Sequence, residues 1–142
     1  MMLASNKENS FYALKEAELD TLKKTLGITP PSELVDFWRN VGYGFIKSPN
    51  NNVNRIMDPL SVIDFRLKQG AFEALPDIEI YDEYQDGKLV FFEGNESAYL
   101  SIGYSGEATG KVFYYGVEVA DSLSDFFKKL TANDMYYTEL MK

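Results

Sequence analysis

The sequence predicts an α+β fold in which helices pack against one side of a mostly antiparallel sheet. Three observations lead to this prediction: apolar residues at helical spacing in the first half, a series of short β-rich runs after them, and one amphipathic run near the end. With 142 residues, the chain is long enough for one domain with a sizeable core. We expect a single domain over residues 1–142, with a core of about 14–130 and a short helix or tail over 131–142.

The first helix is predicted near "KEAELDTLKKTLG", residues 15–27. Leu19, Leu22 and Leu26 fall on one helical face with charged residues between them. Gly27 follows at the position where a left-handed residue commonly ends a helix.

The second helix is predicted in "ITPPSELVDFWRNVGYGF", with Thr29 as N-cap, Pro30 in the first turn, and Gly42 and Gly44 in the turn that ends it. Apolar residues recur at i, i+3, i+4 and i+7, which is the buried stripe of an amphipathic helix: Leu34, Phe37, Trp38 and Val41. We therefore interpret Trp38 as a core residue, the alternative being a ligand-stacking role. The first two helices should pack as a hairpin.

A third helix has both of its ends marked in the sequence. The strand-like "NRIM" comes before it, Asp58 is its predicted cap, Pro59 opens it and Gly70 closes it. Its apolar repeat consists of Leu60, Ile63 and Leu67.

Strand-like runs follow at the spacing of an antiparallel meander. They are "IEIY" at 78–81, a run over 89–92 after the turn Asp86-Gly87, "SAYLSIGY" at 97–104 and "KVFYYG" at 111–116. A final helix is capped by Asp121 or Ser122 and has Leu123, Phe126, Phe127 and Leu130 on one face.

The amino-acid composition excludes several classes of catalytic chemistry. The chain contains no cysteine and no histidine, which excludes disulfides, thiolate nucleophiles and Ser-His-Asp catalysis. The acidic residues have no recognised metal-loop spacing. A carboxylate pair, a Lys–Ser pair or a carboxylate Mg²⁺ site is still compatible with the composition, and an enzyme is the third class of function considered. We nevertheless expect a protein that is not an enzyme and that uses no cofactor and no metal.

All of the net charge of −8 lies between Gln69 and Gly110, which hold nine acidic residues and one basic residue. Such a field repels nucleic acid and anionic membranes, and it attracts basic partners. A solvated, solubilising surface is the alternative interpretation. No apolar run is long enough to span a membrane, and the first residues lack the pattern of a secretory signal, so we expect a cytoplasmic protein.

The strongest candidate for partner binding is "LPDIEIYDEYQDG", residues 75–87, because tyrosines lie between acidic residues and tyrosine is favoured at interfaces. The alternative is an exposed acidic loop or edge strand. The candidate residues are Asp77, Glu79, Tyr81, Asp82, Glu83, Tyr84 and Asp86, with Glu93, Glu96 and Tyr99 as extensions.

Taken together, the order of elements and the motifs resemble the SMI1/KNR4 (SUKH) family over about Leu14 to Leu130. The matching residues of the second helix are Pro31, Leu34, Phe37, Trp38, Gly42 and Gly44, and the later matches are "NRIMDPLSVIDF", "LVFFEGNESAYLSIGY", "TGKVFYYG" and "SLSDFFKKL". One departure is Gly94-Asn95, where many relatives have glycine followed by an acid.

This resemblance implies an interaction module. Bacterial members of the family resemble immunity proteins of polymorphic toxin systems, many of whose toxins are nucleases, and fungal members resemble regulators of cell-wall synthesis and signalling. The expected function is a cytosolic immunity protein, a monomer or weak homodimer, that neutralises a basic toxin such as a nuclease and binds no nucleic acid. The alternative is a regulatory or scaffold module. A toxin gene directly upstream would favour the first.

Overall fold

The computed structural model describes residues 9–47 and 52–141, apart from the side chain of Glu96. It contains a seven-stranded antiparallel sheet in which each strand pairs with its neighbours in sequence, as in a meander. This confirms the predicted α+β class. The strands are β1 (Ser10–Tyr12), β2 (Tyr43–Phe45), β3 (Asn54–Ile56), β4 (Lys88–Gly94), β5 (Ala98–Gly103), β6 (Val112–Tyr114) and β7 (Val117–Ala120).

In the sequence, the helices lie between strands of this sheet and after its last strand. The α-helices are α1 (Glu16–Leu26), α2 (Ser32–Asn40), α3 (Pro59–Leu67), α4 (Leu123–Ala132) and α5 (Tyr136–Glu139). Short 3₁₀ helices span Gly70–Phe72, Ile78–Tyr84, Asn95–Ser97 and Gly106–Ala108. None of the helices in the described part of the chain has the length and apolar character that crossing a membrane requires.

Helix α1 buries Leu19 and Leu22 and ends at Gly27, which is left-handed as predicted. The predicted hairpin with α2 is wrong in its main contact, because α1 packs chiefly against α3. An exposed ion pair between Glu16 and Arg39 does join α1 to α2. The connecting segment is the reason: Ile28 and the two prolines after it are buried, so the chain runs through the core instead of turning tightly.

Helix α2 starts at Ser32, with Pro31 in extended conformation before it, and not at Pro30 as predicted. Its side chains Leu34, Phe37 and Trp38 are buried, and Val41 is partly buried against them. Trp38 is completely buried, and its Nε1 donates a hydrogen bond to the Met57 carbonyl at 2.9 Å. The tryptophan therefore ties α2 to the start of α3.

The two glycines after α2 have a role that the sequence interpretation missed. They flank Tyr43 in strand β2, and β1 pairs with that strand. A Cβ atom on Gly42 or Gly44 would collide with backbone carbonyl oxygens of β1, and both glycines have positive φ angles. These residues therefore permit a close approach of two strands, instead of simply extending a turn.

Helix α3 ends at Leu67, where Lys68 takes the left-handed conformation, and not at the predicted Gly70. Its predicted apolar face is also partly wrong. Ile63 is buried, but Leu60 and Leu67 are exposed, whereas Val62 and Phe65 are buried. The observed buried face is rotated toward Phe65. The centroid of its ring lies 4.8 Å from that of the Tyr99 ring in β5.

Aromatic contacts join helix α4 to the sheet and to helix α2. The Phe92 and Phe126 rings lie 5.0 Å apart, and the Phe37 and Phe127 rings lie 4.8 Å apart. Leu123, Phe126 and Phe127 are all buried. At the start of α4 the Ser122 hydroxyl accepts from the Asp125 N–H, and the carboxylate of Glu33 in α2 accepts from two further N–H groups of α4. These bonds satisfy donors that a helix start otherwise leaves unpaired.

The chain after α4 returns to the sheet. Helix α5 places Tyr137 fully inside the core, with its ring 5.1 Å from that of Tyr114. A side chain at Gly94 would collide with the Tyr137 hydroxyl. The Asn54 amide donates to the Asp134 carboxylate at 3.0 Å. This segment is therefore a short helix packed into the core.

Candidate partner-binding surface

The segment predicted as the strand "IEIY" is instead a 3₁₀ helix, Ile78–Tyr84, which we call the acidic helix. A 3₁₀ helix has three residues per turn, so residues three apart share a face. Ile78 and Tyr81 are buried, and Tyr84 is partly buried in the same row. The three-residue spacing of these apolar and aromatic residues is the signal that could have predicted the element.

This change of secondary structure alters which residues are exposed. In a strand, Ile78 and Ile80 would share one buried face, but in the acidic helix Ile80 is 48% exposed. Glu79, Asp82 and Glu83 are also exposed on the helix, and Asp77 and Asp86 are exposed at its two ends. The structure thus places three of the candidate carboxylates on the same short helix as the exposed side chain of Ile80, and two more beside the ends of that helix. The sequence interpretation did not select Ile80.

Tyr81 does not belong to the exposed surface, contrary to the prediction that it contacts a partner. It is 6% exposed, and its ring stacks on Tyr115 with centroids 5.3 Å apart. Its hydroxyl lies 3.4 Å from the Ser97 carbonyl oxygen, to which it donates, and 3.5 Å from the Tyr115 hydroxyl. Burial, reinforced by the Tyr115 hydrogen bond, raises the pKa of Tyr81 well above its usual value. Tyr81 therefore anchors the acidic helix.

Two residues predicted to extend the binding surface, Tyr99 and Glu93, make contacts within the protein instead. Tyr99 is 4% exposed and donates a hydrogen bond to Glu93 at 3.3 Å. Glu93 in turn accepts from Arg55 at 3.2 Å, so its charge is compensated. Burial and the nearby Glu93 carboxylate raise the pKa of Tyr99 to about 12. Tyr99 and Glu93 thus link the sheet strands and add no unpaired charge, while the side chain of Glu96 lies outside the described residues.

The acidic helix is held by unusual backbone positions. Four non-glycine residues of the described chain have positive φ, and each contacts or caps this helix: Lys68, Asp77, Ser97 and Tyr115. Asp77 precedes its first turn, Lys68 pairs with Asp82 at 2.8 Å, and the other two meet the Tyr81 hydroxyl. Such conformations persist only where surrounding contacts stabilise them. The helix is therefore fixed from several sides.

The electrostatics of the surface follow from this arrangement. In the described part of the chain, Lys68–Asp82 is the ion pair made by the five exposed carboxylates, and its hydrogen bond raises the pKa of Lys68. Tyr84 lies at the margin, where the negative charge of Glu83 raises its pKa. Among the described residues, no three acidic side chains come close enough to hold a metal ion. The surface can form ion pairs and one apolar contact with another molecule.

Comparison with known proteins supplies independent information. The family model described as the SMI1/KNR4 family (SUKH-1) matches residues 13–129. The chain is also similar to immunity protein YxxD of Bacillus subtilis (strain 168), with 49% identity over 139 residues. That alignment covers 98% of this chain and 95% of the relative. No solved structure gives a significant match.

Proposed function

The chain belongs to the SMI1/KNR4 family (SUKH-1), and from this premise we propose that it is an immunity protein which binds and neutralises a cognate protein toxin without catalysis. The family membership agrees with the resemblance seen in the sequence over 14–130. Support for the immunity role comes from the relative YxxD, which is named an immunity protein and aligns over nearly its full length.

The acidic helix with Asp77 and Asp86 is the proposed toxin-binding surface. The observation that carries this proposal is five exposed carboxylates, three on one fixed helix and two beside its ends, with a single lysine paired to them in the described part of the chain. A surface of one charge sign accelerates the encounter with an oppositely charged partner. Nucleases fit this requirement because they bind phosphates through basic residues.

The structure changes the residues proposed for contact. Asp77, Glu79, Asp82, Glu83 and Asp86 are accessible, and Tyr84 borders them. Tyr81 and Tyr99 support this surface from inside, and Glu93 is paired with Arg55. A single chain carries the whole surface, so this mode of binding requires no homodimer.

The test uses the protein encoded by the gene directly upstream of that for this chain, which the immunity proposal expects to carry a basic toxin domain, purified in a catalytically inactivated form. Reversing three charges (Asp82→Lys, Glu83→Lys and Asp86→Lys) should lower the association rate constant by roughly 10- to 100-fold at 50 mM NaCl, and by much less at 300 mM. These side chains are exposed, and an exposed ion pair such as Lys68–Asp82 contributes little to stability, so the thermal midpoint should fall by only a few degrees.

A matched control separates the local surface from the net charge. Reversal of three exposed acids outside this segment, Asp20, Asp36 and Glu139, changes the total charge by the same amount. It should reduce the association rate constant only about threefold or less. An unchanged rate in the first variant at low salt would rule out the acidic helix as the interface. Failure of the wild type to bind the toxin and to protect cells that express the active form would overturn the immunity role and favour the regulatory or scaffold alternative.

A further inference from the structure

We propose that Ile80 is the apolar anchor of the toxin interface, inserting into an apolar pocket on the basic face of the toxin and setting the lifetime of the complex. This inference rests on the proposed function and goes beyond it. It assigns the association rate constant to the carboxylates and the dissociation rate constant to one isoleucine. It also specifies the partner surface, which is an apolar pocket with basic residues at its rim.

The position of Ile80 is the observation that carries the inference. Its side chain is 48% exposed. With three residues per turn, Glu83 lies in the same row one turn further on, and Asp77 caps the first turn, where its carbonyl oxygen accepts from the Ile80 N–H at 3.1 Å. Glu79 precedes Ile80, and Asp82 follows two residues later. An aliphatic side chain surrounded by charged groups gains most when a partner covers the apolar part and pairs with the charges.

The acidic helix also meets the requirement that an anchor be held in place before binding. Ile78 and Tyr81 are buried on its opposite row, and Tyr81 contacts Ser97 and Tyr115. Lys68 pairs with Asp82 on the exposed side. The backbone that presents Ile80 is therefore fixed in the unbound protein, and a β-branched side chain has few rotamers to lose.

Charge decides between the occupants that could cover Ile80. A second copy of this chain would place five exposed carboxylates against five others, and its net charge is also −8. Nucleic acid and anionic lipid headgroups are repelled by the same field. A protein surface with basic residues around an apolar pocket is attracted by the charges and accommodates the isoleucine.

The experiment measures association and dissociation rate constants of full-length variants with the immobilised, inactivated product of the gene directly upstream, the same expected toxin as in the test above. Ile80→Ser should increase the dissociation rate constant by about 10- to 150-fold, as expected for losing the burial of one isoleucine. Its association rate constant should stay within about twofold of the wild type at both 50 and 300 mM NaCl. Ile80→Leu should restore most of the lifetime, because it retains the aliphatic volume.

Leu60→Ser is the matched control. Leu60 is also an exposed aliphatic residue, with 39% of its surface exposed. It lies at the start of α3, and the residue that contacts the acidic helix, Lys68, follows the other end of α3. This variant should dissociate like the wild type. Thermal melts of all three variants establish that they are folded.

The outcomes separate this inference from the function on which it rests. If the wild type binds the toxin and Ile80→Ser dissociates no faster than Leu60→Ser, the anchor is wrong and the immunity role stands. If Ile80→Ser instead lowers the association rate constant without changing the dissociation rate constant, Ile80 does not set the lifetime of the complex and the proposal is wrong. If the wild type does not bind, both proposals are overturned.

Discussion

The rings of Tyr81 and Tyr115 are stacked, with centroids 5.3 Å apart and planes inclined by 12°. This contact joins the acidic helix to the turn between β6 and β7, where Tyr115 has a φ of 53°. The two residues are far apart in sequence, yet the position of one exposed carboxylate surface depends on their packing. The stacked pair is therefore a support for the surface and not a part of it.

The first prediction follows from that support. Tyr81→Ala should lower the free energy of unfolding by about 3–5 kcal/mol, as for other large-to-small aromatic substitutions in cores. Tyr81→Phe keeps the ring and should cost only about 0.5–1.5 kcal/mol. Urea unfolding followed by circular dichroism measures both values. If Tyr81→Ala unfolds like the wild type but loses toxin binding, Tyr81 is a contact residue after all.

Trp38 provides a second test of the core. It is fully buried and donates to the Met57 carbonyl, so Trp38→Ala should cost roughly 3–5 kcal/mol of unfolding free energy. Trp38→Phe removes the donor and leaves a buried carbonyl unpaired, at a cost of about 1–3 kcal/mol. Chemical denaturation measures both costs. A Trp38→Ala protein that melts normally and fails to bind would place the tryptophan at an interface instead.

A third prediction concerns Gly94 and Tyr137. Because a Cβ atom on Gly94 would collide with the Tyr137 hydroxyl, Gly94→Ala should destabilise the protein by about 1–3 kcal/mol. Tyr137→Phe removes the colliding oxygen, so the double variant should be at least about 0.5 kcal/mol more stable than the sum of the two single effects predicts. A double-mutant cycle from urea unfolding measures this difference. Strict additivity would show that the two residues are not in contact.

The fourth prediction is alkaline unfolding. Burial is the main cause that raises the pKa of Tyr99 and of Tyr137, each to about 12. An unfolded tyrosine ionises near pH 10. Because the folded pKa is higher, the unfolded state loses its proton first as the pH rises, and stability falls between about pH 10 and 12. Below pH 10 this contribution is complete.

Absorbance of the phenolate near 295 nm and circular dichroism should therefore change together during titration above pH 10. Tyr99→Phe should reduce the steepness of the stability loss in this range, because one of the linked protons is gone. Full phenolate absorbance near pH 10 with an intact dichroism spectrum would contradict the prediction.

Most of the helices could be predicted because their signals are local. Leu19, Leu22 and Gly27 define the buried face and the end of α1, and Pro59 marks the first turn of α3. The meander order of β4 to β7 follows from short β-rich runs joined by short connections, whereas helices lie between β1 and β2 and between β3 and β4. The location of the excess negative charge could also be predicted, because it depends only on which residues lie between 69 and 110.

Other features required neighbours that are distant in sequence. Strand β1 was missed because three residues alone carry no signal, and its pairing depends on Gly42 and Gly44. The acidic helix was missed because "IEIY" suits both a two-residue and a three-residue repeat. Packing of Tyr81 on Phe65, Tyr99 and Tyr115 fits the three-residue repeat.

By itself the sequence determined the fold class, the segment that holds the excess charge and the exclusion of histidine and cysteine chemistry, because these depend on composition and local periodicity. Only the tertiary structure decided which residues of that segment face solvent. Aromatic side chains drew Tyr81 and Tyr99 inside, since burying a large ring is worth more than exposing it. Because Tyr81 faces the core, Ile80 beside it in the acidic helix faces solvent, where the exposed carboxylates also lie.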